Sequence, residues 1–153
     1  MKPGKIRRKA VKLRIGIVVS LFNSFITERL VDGCLDELSQ CGIARKDIAV
    51  TQVPGAFEIP VAALKMARKR SVDAVICLGA VIRGETLHFE LVAQGCSQGI
   101  MQVALMTGKP VIFGVLASDT VNQAYARSKK RGENKGREAA RAAVDMIRTL
   151  KRI

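Results

Sequence analysis

His88 is the only histidine of the chain, and it stands in the stretch Gly79-Ala80-Val81-Ile82-Arg83-Gly84-Glu85-Thr86-Leu87-His88-Phe89. A Gly-X-Thr turn opening a helix offers backbone N–H groups and a hydroxyl at the positive end of the helix dipole, a ready seat for an anion. Histidine is the side-chain type that both accepts and donates a proton near neutral pH. Together they point to proton transfer beside a bound anion. Taken alone, Thr86 fits an ordinary helix cap equally well, and a lone histidine is commonly structural. The position of His88, at a strand end where ligands bind, puts the catalytic reading ahead. The stretch lacks the GK[ST] ending of a Walker loop.

Three further segments hold residues that a plain strand-to-helix turn does not require. Leu21-Phe22-Asn23-Ser24-Phe25 puts two of the chain's six aromatics together. Phe22 fits either a core position or a flat face for stacking a heteroaromatic ring, with polar Asn23 beside it. Val53-Pro54-Gly55-Ala56-Phe57-Glu58-Ile59-Pro60 combines a glycine and a small residue, which let a ligand approach the backbone. Glu58 fits a first-turn helix acid, but that leaves the two prolines stiffening its apolar loop without a reason. Phe113 is a core residue of a strand or a second stacking face. Arg127 opens a cationic run (Arg127, Lys129, Lys130, Arg131) leading to Asn134-Lys135-Gly136. One guanidinium there suits a phosphate; the residue types do not say which.

These residues must be held by alternating elements. β-branched runs at 13–19, 48–53, 73–80 and 110–116 predict strands. Helical periodicity covers 27–40, 59–69 and 87–107, then 119–127 and 134–150. Thr27 is the expected start of the first helix and Gly42 its stop. Strands separated by helices imply right-handed crossovers, and hence a four-stranded parallel sheet covered on both faces. The expected class is α/β, a three-layer αβα sandwich. Ligands in such folds sit at the carboxyl ends of the strands, which are the segments holding the residues above.

A chain of 153 residues, 48% hydrophobic and 25% charged, is expected to form one globular domain over 13–153 after a basic tail at 1–12. No apolar run approaches the roughly 20 residues of a membrane span. The basic, then apolar, start runs into Phe22 and Asn23 rather than a cleavage site, so a cytoplasmic location is expected. Cys34, Cys41, Cys77 and Cys96 form no CxxC pair, and with one histidine a metal site is poorly supplied, so buried free thiols are expected. Of the net charge of +13, residues 1–14 hold seven basic side chains and no acids. Residues 127–153 hold ten basic and three acidic ones, which leaves the middle of the chain nearly neutral.

These stretches together resemble the lumazine synthase (6,7-dimethyl-8-ribityllumazine synthase) family: FNSFI at 22–26, VPGAFEIPVAA at 53–63, DAVICLGAVIRGETLHFE at 73–90, PVIFGVL at 110–116, QAYAR at 123–127 and NKGREAA at 134–140. The similarity runs in order from about Leu13, and the second and third stretches are highly specific. It implies a flavodoxin-like fold and a cofactor-free enzyme of riboflavin biosynthesis. Such an enzyme joins 5-amino-6-ribitylaminouracil to 3,4-dihydroxy-2-butanone 4-phosphate, releasing phosphate and water. By that resemblance Phe22 stacks on the pyrimidine, with Asn23 beside it. Ala56, Phe57 and Glu58 hold the ribityl chain and ring edge, and Ala80, Val81 and Ile82 line the floor. Glu85 and Thr86 contact the butanone phosphate, mainly through backbone groups, Arg127 binds its phosphate, and His88 transfers protons. Phe113, Arg127 and Lys135 come from a neighbouring copy, since family sites lie between subunits of a ring of five.

Three departures stand out: Leu91 where an aromatic is usual, Ala117 in place of a threonine, and a more basic 128–133 loop. The loop's short length favours a sixty-subunit shell over free pentamers, and association with riboflavin synthase is a further implied partnership. Two rivals frame the reading. One is a flavodoxin-like binding module without catalysis, which lacks a use for His88. The other is a cage or nucleic-acid-binding role for the basic ends, whose tails lack aromatics for base stacking.

Overall fold

The computed structural model describes residues 12–153, so the basic tail, Lys12 apart, lies outside the described residues. Four strands, β1 (Ile15–Ser20), β2 (Ile48–Val53), β3 (Ala74–Ile82) and β4 (Val111–Ser118), alternate with helices α1 (Ser24–Gln40), α2 (Ile59–Ala67), α3 (His88–Thr107), α4 (Val121–Ala126) and α5 (Lys135–Arg152). All strand pairs are parallel, in the order β2-β1-β3-β4. The register places Ile17 of β1 between Val50 of β2 and Ile76 of β3, with Leu78 opposite Gly114 of β4. This is the expected α/β three-layer arrangement.

Why the β-branched runs become central strands follows from what they bury. Successive side chains of a strand point to opposite faces. Ile15, Ile17 and Val19 of β1 join Ile76 and Leu78 of β3 against one helical layer, where Leu30, Cys34 and Leu38 of α1 meet Ala140, Val144 and Ile147 of α5. Val18, Val75, Cys77 and Val115 face the other layer, made by Ile59 and Ala63 of α2 and by Cys96, Ile100 and Val103 of α3. Each large side chain so buried contributes about 1.5–3 kcal/mol. The two cores hold the central strands rigid and leave their carboxyl ends as a fixed rim.

Two elements begin where a short polar side chain accepts from the helix. The Thr120 hydroxyl accepts from the Gln123 N–H at 3.1 Å to open α4, and Asn134 Oδ1 accepts from the Arg137 N–H at 3.1 Å to open α5. The first helix starts earlier than the expected Thr27. Asn23 takes the left-handed conformation, φ 61° and ψ 45°, and its carbonyl accepts from the N–H groups of Ile26 and Thr27, so the helix begins at Ser24 with Thr27 buried inside it. Asparagine is one of the few residues that adopts this backbone readily.

All four cysteines are free thiols; Cys34, Cys77 and Cys96 are buried, while Cys41 is only half-buried. Burial pushes the Cys34 thiol up to about 12, Cys96 up to about 11 and Cys77 higher still. No helix among the described residues is long and apolar enough to cross a membrane.

Candidate active site

In strand order β2-β1-β3-β4, the connections leaving β1 and β3 run to opposite sides, which opens a crevice at their carboxyl ends. The loops there are tied together by main-chain bonds. Leu21 N–H donates to the Val53 carbonyl at 2.8 Å and Phe22 N–H to the Pro54 carbonyl at 3.0 Å, so the turns after β1 and β2 run side by side. Asn23 Nδ2 donates to the Ala80 carbonyl at 2.8 Å, which fixes the β1 turn to the end of β3.

A cleft of about 520 Å³ lies on this rim, and its walls include Phe22, Ala56, Phe57, Glu58 and His88. These five come from three loops that sequence places far apart. Phe22 and Phe57 present largely exposed rings, 72% and 60% accessible, rather than filling the core. Ala56 is buried beneath them. A single turn of 3-10 helix over Ala56–Glu58 leads into α2, with Pro60 in the first turn, where a missing N–H costs nothing. Glu58 Oε2 would lie 3.0 Å from a Cβ on Gly55, so the glycine leaves room for the carboxylate within the cleft.

His88 is the first residue of α3 and is exposed on the cleft wall. Its N–H donates to Thr86 Oγ1 at 3.3 Å, so the Thr86 hydroxyl sits at the helix start. The Gly84–Leu87 turn is solvent-exposed, and a Cβ on Gly84 would touch nothing within 4 Å. The arrangement can stack a flat ring between apolar faces, hold its polar edge with one carboxylate, and move protons with one imidazole.

A family model described as 6,7-dimethyl-8-ribityllumazine synthase matches residues 12–151. The chain belongs to this family. Its members are enzymes of riboflavin biosynthesis, and the match runs through every segment of the rim.

The remaining candidates of the family pattern divide into two groups. Ala80, Val81 and Ile82 end β3, with Ala80 buried and its two neighbours half-buried. Glu85 and Thr86 occupy the turn just described. Neither these five, nor Asn23, nor Phe113, Arg127 and Lys135 line the cleft itself. Phe113 is 41% exposed on β4, the edge strand farthest from β2. Arg127 and Lys135 stand at the two ends of one loop, joined by the Lys135 N–H donating to the Arg127 carbonyl at 2.8 Å. Arg127 Nη1 donates to the Gln123 carbonyl at 3.4 Å, and Lys135 Nζ lies 3.5 Å from Glu138 Oε2. A second depression, of about 480 Å³, is lined by charged residues of α1, α5 and the 130–131 loop, including Arg29, Asp36 and Arg137, and holds none of the candidates.

Sequence reasoning missed several cleft residues. Leu91 and Val92 of α3 complete its apolar wall. Gly95, one turn further, is where the Phe57 ring rests, since a Cβ there would fall 2.7 Å from Phe57 Cε2. Gly99 receives Pro60 in the same way, at 2.6 Å. Two glycines four apart on one helix were the available signal, because residues at that spacing share a face.

Proposed function

We propose that the chain condenses 5-amino-6-ribitylaminouracil with 3,4-dihydroxy-2-butanone 4-phosphate, releasing phosphate and water to give 6,7-dimethyl-8-ribityllumazine. The observation that carries this reading is the convergence of Phe22, the 56–58 turn and His88 on one cleft from three separate loops. In this reading the pyrimidine stacks on Phe22, and Glu58 with the backbone of Ala56 and Phe57 takes the ribityl chain and ring edge. The phosphate sits against the 84–86 turn, where the positive end of the α3 dipole favours an anion.

The chemistry needs protons moved three times. Attack of the 5-amino group on the ketone and loss of water give an imine. Removal of a proton next to the imine expels phosphate, and ring closure by the ribitylamino nitrogen expels water again. His88 accepts and returns these protons, a role worth about 10²–10⁴-fold in rate. Holding two reactants together supplies a further large share. None of these steps calls for a cofactor.

Phe113, Arg127 and Lys135 complete the site of an adjacent copy of the chain. One observation supports a neighbouring copy here. Helix α3 and the residue before it expose Leu87, Leu91, Gln94, Gln98, Met101 and Leu105, a spacing of alternate fours and threes with Leu105 79% accessible. Such a stripe, apolar at four of its six positions, fits helix-to-helix packing between copies. We propose a ring of five, with the short 128–133 loop favouring its assembly into a shell.

The test is to mix the two substrates with the protein and follow the absorbance and fluorescence of the lumazine together with phosphate release. Equal amounts of lumazine and phosphate are expected. Absence of product at micromolar enzyme would overturn the assignment.

A further inference from the structure

The turn that carries Glu85 and Thr86 is exposed throughout, and α3 follows Leu87 without a side-chain cap. The hydrophobic core therefore does not hold this turn in place. One side chain reaches across it. Arg83, the last residue before the turn, donates from Nη1 to Glu90 Oε1 in the first turn of α3 and from Nε to Asp119 Oδ1 at 2.7 Å, just past the end of β4. Its guanidinium also lies 4.6 Å from the centre of the Phe89 ring. Its main chain is anchored as well, the N–H donating to the Ser118 carbonyl at 2.8 Å. Asp119 is itself fixed, its N–H donating to Gln123 Oε1 at 2.8 Å.

We infer that Arg83 is a positioning residue of the site, its fork closing the 84–89 span so that the Thr86 turn and His88 stand in fixed relation. The inference rests on the reading of His88 and the 84–86 turn given above. Arg83 touches no reacting atom in that reading; it acts through the two residues, Phe89 and Glu90, that follow His88 directly.

Three physical points favour this role over simple surface decoration. Only a planar guanidinium serves two carboxylates in different directions while laying its face on an aromatic ring; a lysine is a point donor. Ion pairs as exposed as these add little to global stability, with the Arg83 side chain 46% accessible. What the fork does determine is local geometry, since it joins the ends of β3 and β4 to the start of α3. Finally, Glu90 Oε2 is buried without a hydrogen-bond partner, so among the described residues Arg83 is the only side-chain donor to this carboxylate. Loss of Arg83 removes the side-chain donor to Glu90 Oε1, and the first turn of α3 shifts as that oxygen turns to water.

The experiment is steady-state kinetics with both substrates varied, on the wild type and on Arg83→Ala, Arg83→Lys and Glu90→Gln. For Arg83→Ala, kcat is expected to fall about 10-fold or more, as misplaced catalytic groups cost. The KM for the butanone phosphate should rise, while the KM for the pyrimidine stays within about 2-fold, because Phe22 and the 56–58 turn are untouched. Arg83→Lys should fall between, and Tm should move by no more than about 4 °C. Combining Arg83→Ala with Glu90→Gln should cost little more than Arg83→Ala alone, since the two act as one unit. Unchanged kcat and KM in Arg83→Ala, or equal rises in both KM values, would overturn the inference. Should Arg83→Ala fail to fold, Arg83→Lys and Glu90→Gln carry the same test through the same split. A wild type without turnover would instead remove the reaction itself, and this inference with it.

Discussion

The Asn23 side-chain amide donates to the main-chain carbonyl of Ala80 at 2.8 Å, joining the turn that carries Phe22 to the end of the strand that leads to His88. The bond crosses the crevice at the point where the chain's connections diverge. It fixes the Phe22 turn relative to the end of β3.

Asn23 thus does two things, and they separate by substitution. Its left-handed φ of 61° suits asparagine or glycine, while its amide supplies the bond. Asn23→Gly keeps the conformation and loses the bond, and should cost about 1 kcal/mol. Asn23→Ala loses both and should cost about 1–2 kcal/mol more. Urea unfolding of the two variants checks the order; equal losses would show that backbone strain plays no part.

The Glu90 carboxyl is held below the usual carboxylate range, first by a backbone hydrogen bond and then by Arg83. A depressed acid stabilises the fold above its unfolded pKa, and that contribution disappears as pH falls through the folded value. Glu90→Gln should therefore be less stable than the wild type at pH 7. The gap should narrow as pH is lowered from 7 to below the ordinary glutamate pKa of about 4.3. A gap of constant size across that range would show that the charge of Glu90 is not what matters.

If a site takes His88 from one copy and Arg127 from the next, two inactive variants should rescue each other. Coassembling equal amounts of His88→Ala and Arg127→Ala from unfolded chains should restore about a quarter of wild-type activity, the statistical share of intact pairs at a heterologous interface. Simple mixing of preassembled variants should restore little. Activity that never exceeds the sum of the two parents would place both residues in one chain's site.

Much of this architecture was legible in residue types, because burial on both faces demands the near-continuous apolar runs seen in β1 and β3. The rim was legible for a related reason: Pro54 and Gly55 have no place inside the strand they follow, and Pro60 fits a helix only in its first turn. The rest depended on distance in sequence. Arg83 meets Asp119 across 36 residues, and no local pattern encodes that pairing. The packing of α5 on α1 was equally hidden. A Cβ on Gly136 would collide with the main-chain carbonyl of Leu30, so NKGREAA needs its glycine for a helix that lies over a hundred positions earlier. The start of α1 departs from expectation because Thr27 is a good cap residue in isolation, while the conformation of Asn23 becomes visible only in the fold.

The central claim is that the imidazole of residue 88 moves the protons of the condensation, and His88→Ala tests it most directly. Pre-steady-state and steady-state kinetics should show kcat reduced about 10²–10³-fold, with affinity for the ribitylaminouracil within about 3-fold of wild type. A kcat equal to that of the wild type would contradict the account.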